Sequence, residues 1–322
     1  MKRPAFLRLV LAVVASLTMS SAISQGYPNR PVRIVIPFPP GGTLDALGRA
    51  LAQKVGDQMG QPFVVENRPG GNGIIGGDAV AKAPPDGYTL LFNASTFVTA
   101  PMTMKEVPYG IEKDFVPISL VADYPMLVLV NKSHPAQTIA ELVTWLKANP
   151  DKANYPTPSP VFTLPIEHFK IKTGAPATAI SYRSSNESIT SLLGGQTAFA
   201  FVETPVSVPQ VATGNLRALA VTLPERIPDL PDVPTLTEAG VTDVVAGTWL
   251  ALMAPAGTPM SIVRKLEAAC RQIAATDDFK ARMKALSSQS IGSTSDELAA
   301  RMKAEVQRWS GVVKAANIKF EL

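Results

Sequence analysis

The loop at residues 37–43, with the sequence Pro-Phe-Pro-Pro-Gly-Gly-Thr, carries the residue types in this 322-residue chain that are best suited to binding an anion. It follows the apolar run at 32–36 and precedes a helical pattern that begins at Leu44. The first N–H groups of a helix lack partners within the helix and carry the positive end of its dipole, so a carboxylate or phosphate gains hydrogen bonds there. Gly41 and Gly42 leave the backbone uncovered for such a ligand. A tight strand-to-helix turn without a ligand fits the same segment, so both interpretations stay open at this point.

Other small polar residues follow other predicted strands or begin predicted helices. They are Thr43, Ser95, Thr96, Thr157, Ser159, Ser184 and Ser185, with Asn186 able to cap a helix. Taken singly, each fits an ordinary turn or cap. Taken together on successive loops, their hydroxyl groups predict capture of a small carboxylate without chemistry.

Residues that would support catalysis are scarce. The two histidines, His134 and His168, have no metal-ligand spacing, and the sequence contains no Gly-x-Ser-x-Gly elbow, no Cys/His arrangement and no Walker-type Gly-Lys-Ser/Thr. The single cysteine, Cys270, falls in an apolar helical stripe, which favours a core position over a reactive thiol. The sequence therefore predicts a protein that is not an enzyme and that has no cofactor and no metal site.

The glycine-rich segment at 68–77 suggests a dinucleotide site, but its details do not fit one. From Gly70 the glycine spacing does not match G-x-G-x-x-G, and no acidic residue follows at the required distance. From Gly71 the spacing matches, yet Pro69 and the prolines at 84–85 leave too short a helix. We therefore reject nucleotide binding.

The N-terminus has the pattern of a secretory signal peptide at residues 1–24. A basic start precedes an apolar run at 9–19 and small residues that suit cleavage after Ala22 or Ser24. No cysteine follows that could carry a lipid anchor, so we expect an exported, periplasmic protein. Loss of Lys2, Arg3 and Arg8 would leave 27 basic against 26 acidic residues, and this near-neutral balance gives no reason to expect a nucleic-acid partner.

Short apolar runs alternate with helical patterns along the rest of the chain. The predicted strands are 32–36, 63–66, 89–93, 126–130, 178–182, 197–202, 216–221 and 249–254. The predicted helices are 44–59, 76–81, 139–148, 186–193, 236–239, 261–286 and 296–316. This alternation predicts an α/β fold with largely parallel sheets, in which ligands bind beyond the carboxyl ends of the strands.

Seven segments strongly resemble the Bug family, the periplasmic solute receptors of tripartite tricarboxylate transporters. They lie at 32–45, 65–70, 85–90, 113–119, 193–196, 216–221 and 254–259. The resemblance runs from about Tyr27 to the C-terminus in the same order throughout. It implies a type II periplasmic-binding-protein fold of two α/β lobes, with residues 25–125 plus 223–322 in one lobe and 126–222 in the other.

In such receptors the ligand lies in the cleft between the lobes and is delivered to membrane permease subunits, so the resemblance implies a monomeric partner of such a permease. Carried onto this sequence, the ligand-binding residues of the first lobe are Phe38, Gly41, Gly42, Thr43, Asp45, Ala94, Ser95 and Thr96. Those of the second lobe are Thr157, Ser159, Tyr182, Ser185, Asn186, Val202 and Glu203.

Three departures from the family pattern concern the ligand. The loop at 156–165 is rich in proline, Glu203 follows Val202 where relatives often carry an aspartate, and Phe97 replaces a common histidine. A cavity lined by Phe97, Phe162 and Trp249 would favour an aromatic or otherwise apolar-bodied acid. Two alternatives remain open: a secreted hydrolase or lyase that uses Asp45 and Glu203, and a subunit that presents its ligand to a signalling kinase.

Overall fold

The computed structural model describes residues 26–104 and 106–318, so the predicted signal peptide lies outside the described residues. The strands are β1 Val32–Ile36, β2 Phe63–Asn67, β3 Thr89–Ala94, β4 Phe115–Asn131, β5 Asn154–Thr157, β6 Thr178–Ser181, β7 Phe199–Glu203, β8 Leu216–Val221, β9 Gly247–Pro255 and β10 Gln289–Ser290. The helices are α1 Thr43–Met59, α2 Ile74–Ala81, α3 Thr96–Met102, α4 Ile139–Ala148, α5 Pro160–Thr173, α6 Ser185–Leu193, α7 Thr204–Ala212, α8 Met260–Ala275, α9 Asp277–Ala285 and α10 Ser295–Ala315. None of these helices combines the length and the apolar character needed to span a bilayer.

The main sheet has the order β10-β4-β9-β3-β1-β2, and β7 and β8 also pair with β4. The strand β1 runs parallel to β2 and β3, and β5 runs parallel to β6. All partners of β4 and the β3–β9 pair are antiparallel. The expectation of largely parallel sheets was therefore wrong, because the long strand β4 meets every neighbour in the antiparallel sense.

The 17-residue strand β4 changes partners along its length. Its residues up to Pro125 pair with β9, and those from Met126 onward pair with β7 and β8. One strand thus links two regions of sheet that have different neighbours. The lobe boundaries at 125/126 and 222/223 stay a prediction, because strand pairing does not show which residues move together.

The core lies between these sheets and the helices that cover them. The strand β1 is buried along almost its whole length, and α1 packs the apolar stripe that includes Leu51 and Val55 into the same cluster. Cys270 on α8 is 1% exposed and belongs to this cluster, as its helical stripe predicts. Burial raises the pKa of its thiol to about 12, so it remains protonated at neutral pH.

Three observed helices are missing from the predicted set of helices, and each of them contains a proline. These are α3 with Pro101, α5 with Pro165 and α7 with Pro209. The predicted helix at 261–286 was wrong in its length, since it divides at Thr276, whose hydroxyl caps α9. The predicted helix at 236–239 forms turns instead.

Candidate functional site

A cavity of about 600 Å³ opens where the loops after β1 and β3 face the starts of α5 and α6 and the end of β7. It brings together nine of the residues predicted to bind the ligand. They are Phe38, Gly42, Thr43, Asp45, Ala94, Thr96, Ser159, Ser185 and Glu203. These residues come from chain positions more than 160 apart, so the fold gathers them into one place.

The N-terminus of α1 points into this cavity without a side-chain cap. Gly42 is the N-cap residue, has φ of −80°, and supplies no side chain to bond the free N–H groups of the first turn. A Cβ atom at Gly42 would meet nothing within 4 Å, so the approach to these N–H groups is open. Gly41 before it adopts φ of 88°, a conformation that favours glycine.

Asp45 holds the loop before α1 in shape. Its Oδ2 accepts hydrogen bonds from the Gly41 N–H at 2.9 Å and from Arg49 Nε at 3.0 Å, and its Oδ1 accepts one from Asn67 Nδ2 at 2.9 Å. The same Asn67 amide group donates to the Phe38 carbonyl at 3.0 Å. Burial alone would raise the pKa of Asp45, but the hydrogen bonds from Arg49, Gly41 and Asn67 together lower it to about 2. Both carboxylate oxygens are therefore occupied, and Asp45 positions the loop.

Hydroxyl groups form the floor of the cavity. Thr96 and Thr248 both line it, and the hydroxyl oxygen of each is buried without a hydrogen-bond partner among the described residues. Tyr124 also lines the floor and pairs with Thr248 across β4 and β9. Burial raises the pKa of the Tyr124 phenol, and the nearby Glu203 carboxylate raises it further. These hydroxyls remain protonated at neutral pH and can donate to an anion.

Two side chains of opposite charge, Glu203 and Arg183, also line the cavity. Glu203 ends β7, and the Ser185 hydroxyl donates to its Oε2 at 3.0 Å. Burial raises the pKa of Glu203, and the hydrogen bonds from its own backbone N–H and from Ser185 offset this only in part. Arg183 is exposed, lines the cavity, and makes no ion pair with any described side chain.

Seven predicted site residues lie outside the cavity lining: Gly41, Ser95, Phe97, Thr157, Tyr182, Asn186 and Val202. Phe97 is 1% exposed and stacks against Tyr109, with its centroid 5.9 Å away, instead of facing the cavity. Val202 is equally buried, on the face of β7 opposite Glu203. Trp249, which was expected to line the cavity, is fully buried and donates its indole N–H to Glu305. Of the three aromatic residues expected there, only Phe162 lines the cavity.

Sequence reasoning missed the polar lining residues Asn72, Tyr124 and Thr248, whereas Arg183 lies in the predicted wall loop 183–186. Asn72 lies in the glycine-rich segment, has φ of 50°, and forms part of the wall in place of a nucleotide site. Tyr124 and Thr248 are polar positions in apolar strands, which is a usable signal once β4 and β9 are known to pair. Within residues 26–104 and 106–318, no group of three or more His, Cys, Asp or Glu side chains is placed to hold a metal ion.

Comparison with known proteins gives consistent matches across the chain. The family model described as tripartite tricarboxylate transporter family receptor matches residues 47–318. BugT of Bordetella pertussis is 35% identical over 97% of this chain and 98% of its own length. Among solved structures, R. palustris Rpa4515 with adipate superposes with a TM-score of 0.81 at 32% identity, covering 91% of this chain and 99% of that one. The periplasmic binding protein BugD gives a TM-score of 0.77 at 34% identity, with coverage of 91% and 99%. These matches confirm the predicted α/β fold of a periplasmic binding protein.

Proposed function

The chain belongs to the Bug family of receptors for tripartite tricarboxylate transporters, and from that premise we propose that it binds a small organic carboxylate in the cavity described above. One observation carries the proposal: the uncapped N-terminus of α1 converges on one cavity with the hydroxyls of Thr96 and Thr248, which have no hydrogen-bond partner among the described residues. A carboxylate accepts hydrogen bonds from all three and adds charge complementarity with the helix dipole. The adipate bound by the relative Rpa4515 is a small carboxylate of this kind.

The body of the ligand is apolar in this proposal. The cavity lining includes several prolines and the apolar side chains Phe38, Val161, Phe162 and Leu250. Apolar side chains cannot satisfy additional buried hydroxyl or carboxylate groups, so they favour an aliphatic or aromatic body over a heavily hydroxylated one.

Binding without reaction fits the residues that are present. The enzymatic alternative requires Asp45 and Glu203 as a working pair of carboxylates, yet both oxygens of Asp45 already accept hydrogen bonds. The proposed role is capture in the periplasm, closure of the lobes 25–125 plus 223–322 and 126–222 around the ligand, and delivery by a monomeric receptor to permease subunits.

A matched pair of ligands tests the carboxylate requirement. Hexanoate and the neutral hexanamide have the same chain and differ in charge. Calorimetric titration of each against the mature protein therefore measures the contribution of the anion seat, which is formed by the start of α1 with Thr96 and Thr248. We expect hexanoate to bind at least about tenfold more tightly, since charge-assisted hydrogen bonds are worth roughly 1.5–3 kcal/mol. Equal binding of the amide would contradict the proposal, and consumption of the acid, seen by mass spectrometry, would favour the enzymatic alternative.

A further inference from the structure

Four polar residues that line the cavity lie on or just after four neighbouring strands, with Glu203 offset by two residues from Tyr124 because it pairs with Met126. Thr96 comes just after β3, Thr248 is on β9, Tyr124 is on β4, and Glu203 ends β7. The strand β3 pairs with β9, β9 with β4, and β4 with β7. Because neighbouring strands lie about 4.8 Å apart, three spacings, or roughly 14 Å measured across the strands, separate the two ends of this row.

The two ends of the row have opposite hydrogen-bonding character. The end at α1 and Thr96 presents N–H and hydroxyl donors. The other end presents the Glu203 carboxylate, whose only side-chain hydrogen bond among the described residues comes from Ser185. The carboxylate also accepts a hydrogen bond from its own backbone N–H. Because a carboxylate offers about four lone-pair sites, Glu203 can still accept a further hydrogen bond.

The surroundings of Glu203 favour a donor from the ligand over a second anion. Burial raises the pKa of this carboxyl because its charged form loses hydration. The groups near it are the protonated Tyr124 phenol and the Ser185 hydroxyl, and the exposed Arg183 lines the same cavity. A ligand hydroxyl restores a lost hydrogen bond and a ligand ammonium also compensates the charge, whereas a second carboxylate would add a like charge.

We propose that Glu203 and Ser185 form a subsite for a hydrogen-bond-donating group on the ligand, at the opposite end of an apolar chain from the carboxylate. The ligand class is then the ω-hydroxy or ω-amino carboxylic acids, which share the donor and differ in its charge. This inference rests on the proposed function for the carboxylate end of the ligand.

A series of ligands with one common chain tests the subsite. Hexanoate, 6-hydroxyhexanoate, 6-aminohexanoate and adipate, with their five- and four-carbon counterparts, are titrated calorimetrically against the mature protein. We expect the hydroxy acid, the amino acid or both to bind about tenfold more tightly than the unsubstituted acid of the same length. Tighter binding of adipate than of the hydroxy acid and the amino acid would overturn the inference, because Arg183 would then bind the second carboxylate of the ligand.

Two substitutions at one position separate the roles of charge and acceptor. Glu203→Leu removes the acceptor, so the preference for the hydroxy and amino acids over hexanoate should fall to within about twofold while hexanoate itself still binds. Glu203→Gln keeps an acceptor oxygen and loses the charge, so it should abolish the preference for the amino acid and retain that for the hydroxy acid. Glu112→Leu, at an exposed residue outside the cavity lining, is the matched control and should leave every preference unchanged.

The outcomes distinguish this inference from the proposed function. If hexanoate binds and the wild-type protein has no preference for a donor, or if Glu203→Leu keeps that preference, the subsite is overturned and the anion seat stands. If no acid of any length binds, the proposed function and the subsite both fall.

Discussion

The three charged residues that line the cavity differ in how many partners each has. Asp45 has both oxygens occupied, Glu203 has one side-chain donor, and Arg183 forms no ion pair with a described residue. Their roles follow from these partners: Asp45, held by several donors, shapes the loop, whereas Glu203, with fewer donors, can accept a hydrogen bond from a ligand. Residue type alone, which is all that the sequence offers, would assign Asp45 and Glu203 the same role.

Gly42→Asp should separate the stability of the protein from its binding. An aspartate at this position has open space and an extended backbone, so its carboxylate can cap the free N–H groups of α1. We expect a gain of a few tenths of a kcal/mol in the free energy of unfolding and a loss of carboxylate affinity of more than about tenfold, because the anion seat is then filled from within. Urea unfolding and calorimetric titration measure the two effects, with Gly42→Ala as the control for added bulk. Undiminished affinity in the aspartate variant would show that the ligand does not use the start of α1.

Asp45→Asn should destabilise the protein in a pH-dependent manner. The folded protein lowers the pKa of Asp45 from 3.8 to about 2, so the ionised carboxylate stabilises the fold above about pH 4, and this contribution is lost as pH falls through 2. We expect Asp45→Asn to reduce the free energy of unfolding by about 1–2 kcal/mol at pH 7, allowing for the exposure of Arg49. The difference in the free energy of unfolding between the variant and the wild type should therefore disappear as the pH approaches 2. Urea unfolding at pH 7, 4 and 2.5 measures it, with the exposed Asp57→Asn on the same helix as control. A gap that stays constant with pH would contradict this account.

At the scale of elements, α10 is joined to the paired strands β4 and β9 by a buried ionic cluster. Arg301 donates to Asp123 Oδ2 at 2.6 Å and to Glu305 Oε1 at 3.3 Å, and Glu305 accepts the indole N–H of Trp249 at 2.9 Å. Asp123 and Trp249 are register partners and lie on the opposite face from the adjacent floor residues Tyr124 and Thr248. The cluster therefore fixes the strands that carry the cavity floor.

The substitution Arg301→Met should reveal how much this ionic cluster contributes to the free energy of unfolding. The substitution leaves two buried carboxylates, Asp123 and Glu305, without their cation, and removing one partner of a buried pair costs about 3–5 kcal/mol. Because Arg301 keeps some solvent exposure, we expect a loss of about 2–4 kcal/mol in the free energy of unfolding. Lys303→Met, at an exposed position on the same helix, should change it by less than about 0.5 kcal/mol. Equal effects of the two variants on urea unfolding would refute a structural role for the cluster.

The elements that the sequence predicted well are those encoded locally. The anion seat needs only β1, the loop and the start of α1, which are contiguous, and their bounds agreed within one residue. The floor residues Tyr124 and Thr248 depend on two strands that pair over more than 120 positions, and no local pattern indicates that pairing. The alternation of β7 placed Val202 and Glu203 on opposite faces, but only the packed fold decides which one meets the cavity. The helices α3, α5 and α7 are hard to predict from the sequence because each contains a proline, and tertiary packing supports them nevertheless.

At the scale of the whole molecule, binding depends on how the two regions of sheet meet along β4. The cavity takes Thr96 and Thr248 from one region and Glu203 from the other, so a ligand that contacts both regions favours the arrangement in which they are close together. Near the predicted lobe boundary, Gly247 faces Pro125 across the β4–β9 pair. A Cβ atom at Gly247 would lie 2.8 Å from the Tyr124 carbonyl oxygen, so a side chain there has to push the two strands apart.

Gly247→Ala should therefore weaken binding without altering any residue that contacts the ligand through its side chain. The added methyl group displaces Thr248 from Tyr124 and widens the floor, so we expect carboxylate affinity to fall about tenfold, or roughly 1.4 kcal/mol, and the free energy of unfolding to fall by about 1–3 kcal/mol. Gly311→Ala in α10 is the matched control, since its Cβ meets nothing within 4 Å and a helical alanine should raise the free energy of unfolding by about 0.5–1 kcal/mol.

Small-angle scattering with and without hexanoate measures whether the whole molecule contracts when the ligand binds. Wild type and Gly311→Ala should contract on binding, and Gly247→Ala should contract less at saturation. If Gly247→Ala binds and contracts as the wild type does, closure does not depend on the close approach of β9 to β4.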